Sequence, residues 1–142
     1  MATENPGLVA VFGHLYREVH ALYQLVARRF DLTVQQVELL CLLHGDPPSL
    51  GALATALDCD KTNVTGLVDR LQRRGYLTRS TDPVDRRITR IQLTDDGITL
   101  GDRLRAAIAH ELTTRLPQPD RPHLVTALRT AATALSDSRP PA

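Results

Sequence analysis

The sequence predicts a mainly α-helical fold with a small antiparallel β-wing, a winged helix-turn-helix flanked by long N- and C-terminal helices. Three observations carry this. Residues Ser49 to Gly75 read as two capped, short amphipathic helices in close succession. Two short β-prone runs follow, joined by the turn Asp82-Pro83-Val84-Asp85-Arg86-Arg87. Apolar stripes at helical spacing run through both ends of the chain, longer than a compact helix-turn-helix can cover.

Leu8, Phe12, Leu15, Val19, Leu22 and Val26 alternate spacings of four and three, which predicts a helix over about 7 to 30. Thr33 and Gln36 form the signature of a capping box, opening a second helix that presents Val37, Leu40 and Leu43 before Gly45-Asp46-Pro47-Pro48 ends it. Ser49 caps a third helix, with Leu50, Leu53, Ala54 and Leu57 turned inward. Asp60 caps a fourth, with Val64, Leu67, Val68 and Leu71 on one face and Gly75 at its stop. The runs Tyr76 to Thr81 and Ile88 to Leu93 pair as the wing, Ile91 and Leu93 sharing one face and Arg90 and Gln92 the other. Thr94, followed by Asp95 and Asp96, starts a long helix with Leu100, Leu104, Ile108, Leu112 and Leu116, which Pro117 and Pro119 stop. A last helix around Arg121 to Leu135 precedes a tail, Ser136 to Ala142, that reads as frayed.

At 142 residues and 42 % apolar content the chain is expected to be one domain, 1–142. Within it, about 33–97 is the winged-helix region, and about 7–30 and 95–136 are dimerisation helices. The terminal helices are expected to pack together and to bury their excess apolar surface against a second copy, setting two reading helices about a two-fold axis. No apolar run reaches the roughly 20 residues of a membrane span, and MATENPG has neither the basic nor the apolar region of a signal peptide, so a cytoplasmic protein without membrane contact is expected. Two cysteines, Cys41 and Cys59, are too few for a disulfide framework or a cysteine-built zinc site. There is no Gly-rich phosphate loop, no G-x-S-x-G and no H-E-x-x-H, which argues against an enzyme, and no cofactor is implied.

The net charge of +1 conceals a strong asymmetry. Lys61 to Arg90 holds eight bases and three acids, whereas the remainder holds nine bases and thirteen acids. A positive block in a negative body is the electrostatic footprint of a nucleic-acid-binding face, here for double-stranded DNA. Lys61, Thr62, Asn63 and Thr65 occupy the first turns of the fourth helix, the end that projects into a major groove. Asn can bond adenine bidentately, Thr offers a hydroxyl and a methyl, and Lys can take a phosphate or guanine. Thr62 and Asn63 read equally well as first-turn capping residues. Gly66 either permits close backbone approach or relieves crowding. At the wing tip, Asp85 can orient one of Arg86 and Arg87 for minor-groove entry. Arg73, Arg74 and Arg79 are assigned to phosphates or to the protein surface.

The run NVTGLVDRLQRRGYLTR, then DPVDRR, then LTDDG resembles the MarR (multiple antibiotic resistance regulator) family. The resemblance implies a homodimeric winged-helix regulator on a pseudopalindromic operator, usually a repressor, released by a small phenolic or other aromatic ligand, by oxidation or by metal. It places the family's Asp-x-Arg wing pattern on Asp85 and Arg87. It also implies a ligand crevice between the first, second and fifth helices, faced by Arg17, His20, Val37 and Cys41. These four read equally well as surface residues and a core thiol. Thiol redox control through Cys59, and metal control through Cys41 and His44, are alternatives. Of another class is a winged-helix protein-interaction module without DNA binding, against which the basic wing argues.

Overall fold

The computed structural model describes residues 5–140. In chain order the elements are α1 (Pro6–Arg29), α2 (Val34–Leu42), α3 (Leu50–Ala56), α4 (Lys61–Arg73), β1 (Leu77–Thr81), β2 (Thr89–Leu93), α5 (Asp95–Arg115) and α6 (Arg121–Asp137). This is the mainly helical winged helix-turn-helix that the sequence predicts. The chain divides into two compact units inside α5, one ending at Ile108 and the other starting at Ala109. No helix among the described residues is long and apolar enough to cross a membrane.

In the first unit the helix starts follow the expected caps. Thr33 Oγ1 accepts from Gln36 N at 3.2 Å while Gln36 Oε1 accepts from Thr33 N at 3.0 Å, the reciprocal capping box. Ser49 Oγ accepts from Ala52 N at 3.1 Å and Asp60 Oδ1 from Asn63 N at 2.8 Å, each cap worth about 1 kcal/mol. Of the helix ends, the stop at Gly75 is the expected one, whereas those at Asp31 and Asp58 carried no signal in the sequence. Asp31, Asp58 and Gly75 each take a positive φ just after α1, α3 and α4. The next residue then bonds back into the helix, Leu32 N to Ala27 O, Cys59 N to Ala54 O and Tyr76 N to Leu71 O, at 2.9 to 3.0 Å. These are Schellman closures, and aspartate is among the few side chains that tolerate the left-handed conformation they require.

The core of this unit gathers Val26, Val37, Leu40, Leu53, Val64, Leu67, Leu71, Ile91 and Leu104 from every helix and from β2, all at most 2 % exposed. Each such side chain contributes roughly 1.5 to 3 kcal/mol relative to leaving it in water. The α1 stripe divides in two. Leu22 and Val26 enter the core, but Leu8, Phe12, Leu15 and Val19 are 37 to 55 % exposed. β1 and β2 pair antiparallel with Leu77 opposite Leu93 and Arg79 opposite Ile91, and Ile91 N also donates to Pro48 O at 2.9 Å, tying the loop before α3 to the wing strand. The start of α5 sits directly on the end of α4. Thr94 Oγ1 donates to Gly75 O at 2.6 Å and accepts from Gly97 N at 3.1 Å. A Cβ on Gly97 would lie 2.1 Å from Tyr76 O, so no larger residue fits.

In the second unit, Arg121 donates to Leu116 O at 3.0 and 3.3 Å and to Thr113 O, closing the turn that begins α6. None of the residues of α6 is buried, Leu128 and Leu135 included. Ser136 and Asp137, expected in a frayed tail, extend the helix instead. Pro141 and Ala142 of that tail lie outside the described residues.

Candidate nucleic-acid interface

α4 turns Val64, Leu67, Val68 and Leu71 into the core. At 100° per residue the line opposite them runs through Thr62, Gly66 and Arg73, with Asn63 and Arg70 on one shoulder and Thr65 on the other. Of the predicted reading residues, Thr62, Asn63 and Thr65 therefore lie on the outer face or its shoulders in the first two turns, and Thr62 and Asn63 are exposed. Their side chains are partly engaged. Asn63 Nδ2 donates weakly to the Asp60 cap at 3.4 Å, and Thr65 Oγ1 donates to Lys61 O at 2.7 Å. Lys61 leans toward α3, where its Cε lies 3.8 Å from the position a Gly51 Cβ would take. Around Gly66 there is no crowding to relieve. A Cβ there would meet only the tip of Arg70, at 3.8 Å.

The wing tip is built by two aspartates. Asp82 Oδ1 accepts from the backbone N of Val84 at 2.8 Å and of Asp85 at 2.9 Å, while Oδ2 accepts from Arg90 Nε at 2.8 Å. Asp85 holds Arg87 bidentately, taking Nε and Nη2 at 3.1 Å each, and also accepts the Arg87 backbone N at 3.0 Å. The Arg87 side chain is 91 % exposed, so the pair aims a solvated guanidinium without burying it. Donation from the Asp85 backbone, then from Arg90 and the Val84 backbone, holds the Asp82 carboxyl below the usual carboxylate range. The Arg87 guanidinium does the same for Asp85, and Asp85 in turn raises Arg87. Arg86 is exposed beside them. Asp82 and Arg90, the hinge of this arrangement, carried no role in the sequence reading. An Asp opening a Pro-containing turn is the signal that marks the first of them.

The remaining bases of the positive block separate by partner. Arg79 pairs with Asp69 and Gln72 of α4, bracing β1 against the reading helix and neutralising an acid on its flank. Arg74 donates to Asp31 O at 2.9 Å and lies over the Tyr76 ring. Both therefore serve the protein itself. Arg70, Arg73 and Arg86 stand exposed on the same face as the reading residues or the wing, and Lys61 is exposed on the side of α4 that faces α3.

The four residues assigned to a ligand crevice are not brought together within the first unit. Arg17 and His20 are exposed on α1, His20 stacked on Tyr16 with ring centroids 6.2 Å apart. Val37 is fully buried in the core, without surface to offer a ligand. Cys41 lines a cavity of about 290 Å³ with Tyr23, Glu38 and Leu57. His44 lies beyond the end of α2, so it does not share a helix face with Cys41, and no group of three or more metal-ligating side chains occurs among the described residues. Burial, then Asp60, Asp58 and Glu38, pushes the Cys59 thiol up, the opposite of what a thiolate sensor needs.

Comparison with known proteins gives related sequences and similar folds. The MarR family profile matches residues 32–89. The chain is 38 % identical over 104 residues to the HTH-type transcriptional regulator YhbI of Bacillus subtilis, covering 67 % of either chain. It is 37 % identical over 98 residues to the HTH-type transcriptional repressor NicR of Pseudomonas putida, covering 65 % of this chain and 61 % of that one. Among solved structures, Bordetella bronchiseptica BpsR, whose DNA binding is regulated by 6-hydroxynicotinic acid, superposes with a TM-score of 0.68 at 28 % identity, covering 93 % of this chain and 96 % of the other.

Proposed function

The chain belongs to the MarR family, and from that premise we propose that it is a non-enzymatic, cytoplasmic, homodimeric repressor that reads a pseudopalindromic operator and is released by a small aromatic ligand. The observation that carries the DNA reading is the bidentate Asp85 to Arg87 pair at the tip of a wing that follows an exposed polar reading helix. A guanidinium already held in one orientation loses less freedom on entering a groove. In this reading Asn63, Thr62 and Thr65 contact base edges, Lys61 takes a phosphate, and Arg87 with Arg86 enters the minor groove at a narrow A·T-rich tract.

Two copies are supported by the apolar surface left uncovered on α1 and, separately, along α5 and α6, where Leu112 and Leu128 are each 39 % exposed. Repression and an aromatic effector follow the precedents of NicR, a repressor, and BpsR, regulated by a hydroxylated aromatic acid. Thiol control through Cys59 is disfavoured by its raised pKa.

Selection from a random duplex pool tests the proposal. A palindromic sequence should be recovered, bound with a steep loss of affinity as salt rises. Asn63→Ala should relax preference at one operator position by roughly 1 to 3 kcal/mol, whereas Arg73→Ala should weaken all sequences alike. Recovery of no sequence, with salt-independent association, would leave a protein-interaction module as the reading.

A further inference from the structure

Arg74, Arg79, Arg87 and Arg90 of the positive block are each held by an acceptor within the chain. The guanidinium of Arg70 is exposed and has no hydrogen-bond or ion-pair partner among the described residues. Its place is nevertheless defined. Outside the helix backbone, the atoms nearest to a Cβ built on Gly66 would be Nη1 and Nη2 of Arg70 at 3.8 Å and its Cζ at 4.0 Å.

Arg70 stands four residues after Gly66, about 6 Å further along the axis and about 40° round it. Side chains on a helix lean toward its N-terminus, so a long one at 70 covers the turn that holds residue 66. Here it meets no side chain, because Gly66 has none. The guanidinium is carried from the shoulder of α4 toward the line opposite the buried face, into the space that a longer side chain at 66 would enter.

We propose that Arg70 reads a base, its guanidinium donating from above Gly66 to O6 and N7 of a guanine in the major groove. The proposal rests on the DNA reading above and adds a contact which that reading lacks. The planar fork offers two parallel donors, and guanine alone presents two acceptors side by side on its major-groove edge. With no acceptor in the chain to give up, Arg70 exchanges only water for the base. Its tip lies level with the second turn of α4, beside Thr62, Asn63 and Thr65, and the N-terminal turns of a reading helix are the part that meets base edges. Arg73 stands on the same outer line nearer the C-terminal end and stays with the phosphates. Cβ atoms three residues apart on a helix face are about 5 to 6 Å apart and stacked base pairs about 3.4 Å, so the guanine falls about one or two base pairs from the one that Asn63 contacts.

The test begins with selection from a random duplex pool by the wild type and by Arg70→Ala. The wild type should enrich a guanine at one position of each half-site. Arg70→Ala, which removes no hydrogen bond or ion pair within the chain, should recover the same operator with that position unspecified, and should bind the wild-type operator about fivefold or more weakly. That guanine is then replaced by 7-deazaguanine, which lacks the N7 acceptor. The wild type should lose affinity, whereas Arg70→Ala should lose none beyond what the substitution at 70 already cost. An operator without such a guanine, or a guanine that Arg70→Ala still selects, would overturn the assignment. So would equal weakening on operator and random duplex with a salt dependence lowered by about one phosphate contact, which would place Arg70 on the backbone. Each of these results leaves the operator standing and defeats this contact alone. A wild type that selects no sequence defeats the DNA reading and this contact with it.

Discussion

Asp82 and Arg90 close the wing from opposite strand ends, Arg90 Nε donating to Asp82 Oδ2 at 2.8 Å while the other carboxylate oxygen receives two backbone amides of the turn. One side chain thus sets both the turn that displays Arg86 and Arg87 and the strand behind it. Asp82→Ala should leave the core intact but release the tip. Hydrogen exchange at Val84 and Asp85 should accelerate and operator affinity should fall, with an unaltered melting transition. Protected turn amides in Asp82→Ala would show that the backbone alone holds the wing.

The same carboxylates give the wing a pH dependence of definite sign. Asp82 and Asp85 are held below their ordinary range, so their contacts contribute fully above the unfolded carboxyl value of about 4 and are lost only as pH falls through the lower folded values. NMR shifts of the Val84 and Arg87 amides should stay flat from neutral pH down to that value and move below it. A transition near neutral pH would contradict the assignment.

Gly66→Ala should stabilise the free protein by about 1 kcal/mol, since glycine is a poor helix former and the new methyl meets only Arg70 at 3.8 Å. If the α4 backbone lies against a groove, the same change weakens operator binding. Thermal unfolding and operator titration of one variant measure both effects, and a gain in stability with unchanged affinity would separate Gly66 from recognition.

Cys59 should alkylate slowly. With its thiol pushed up by burial and by Asp60, Asp58 and Glu38, the thiolate fraction at neutral pH is lower than that of an unperturbed cysteine. Iodoacetamide labelling followed by mass spectrometry should give a rate below that of a free-cysteine peptide, rising only at alkaline pH. Rapid labelling at neutral pH would reopen thiol control.

If a second copy covers the apolar surface of α5 and α6, as proposed, Leu112→Glu or Leu128→Glu should yield a monomer or an unfolded chain, because a charge would enter that surface. Sedimentation equilibrium reads this directly. A wild-type protein that is monomeric at micromolar concentration would defeat the dimer before any variant is made.

Much of the architecture was legible in the residues themselves. Thr33 with Gln36, Ser49 and Asp60 marked helix starts because a cap depends on two to four neighbouring residues, and the buried faces of α2 and α4 followed from a fixed turn angle. The pairing of Asp85 with one of the two arginines that follow it was legible for the same reason, Arg87 lying two positions on. The places where distant segments meet were decided only by tertiary structure. Local spacing does not reveal that Arg79 braces Asp69, that Arg74 reaches Asp31, or that Gly97 must be small because the Tyr76 carbonyl occupies its side-chain space. Spacing did put Val37 on the inward face of α2, where it is sealed, against the crevice wall that the resemblance implied, but it gave no sign that Arg105, an apparently ordinary helix arginine, is left with a nitrogen shut off from water and unpartnered. Periodicity says which face of a helix is apolar; which neighbour covers that face, and which polar atom is stranded by it, depends on packing among segments far apart in the chain.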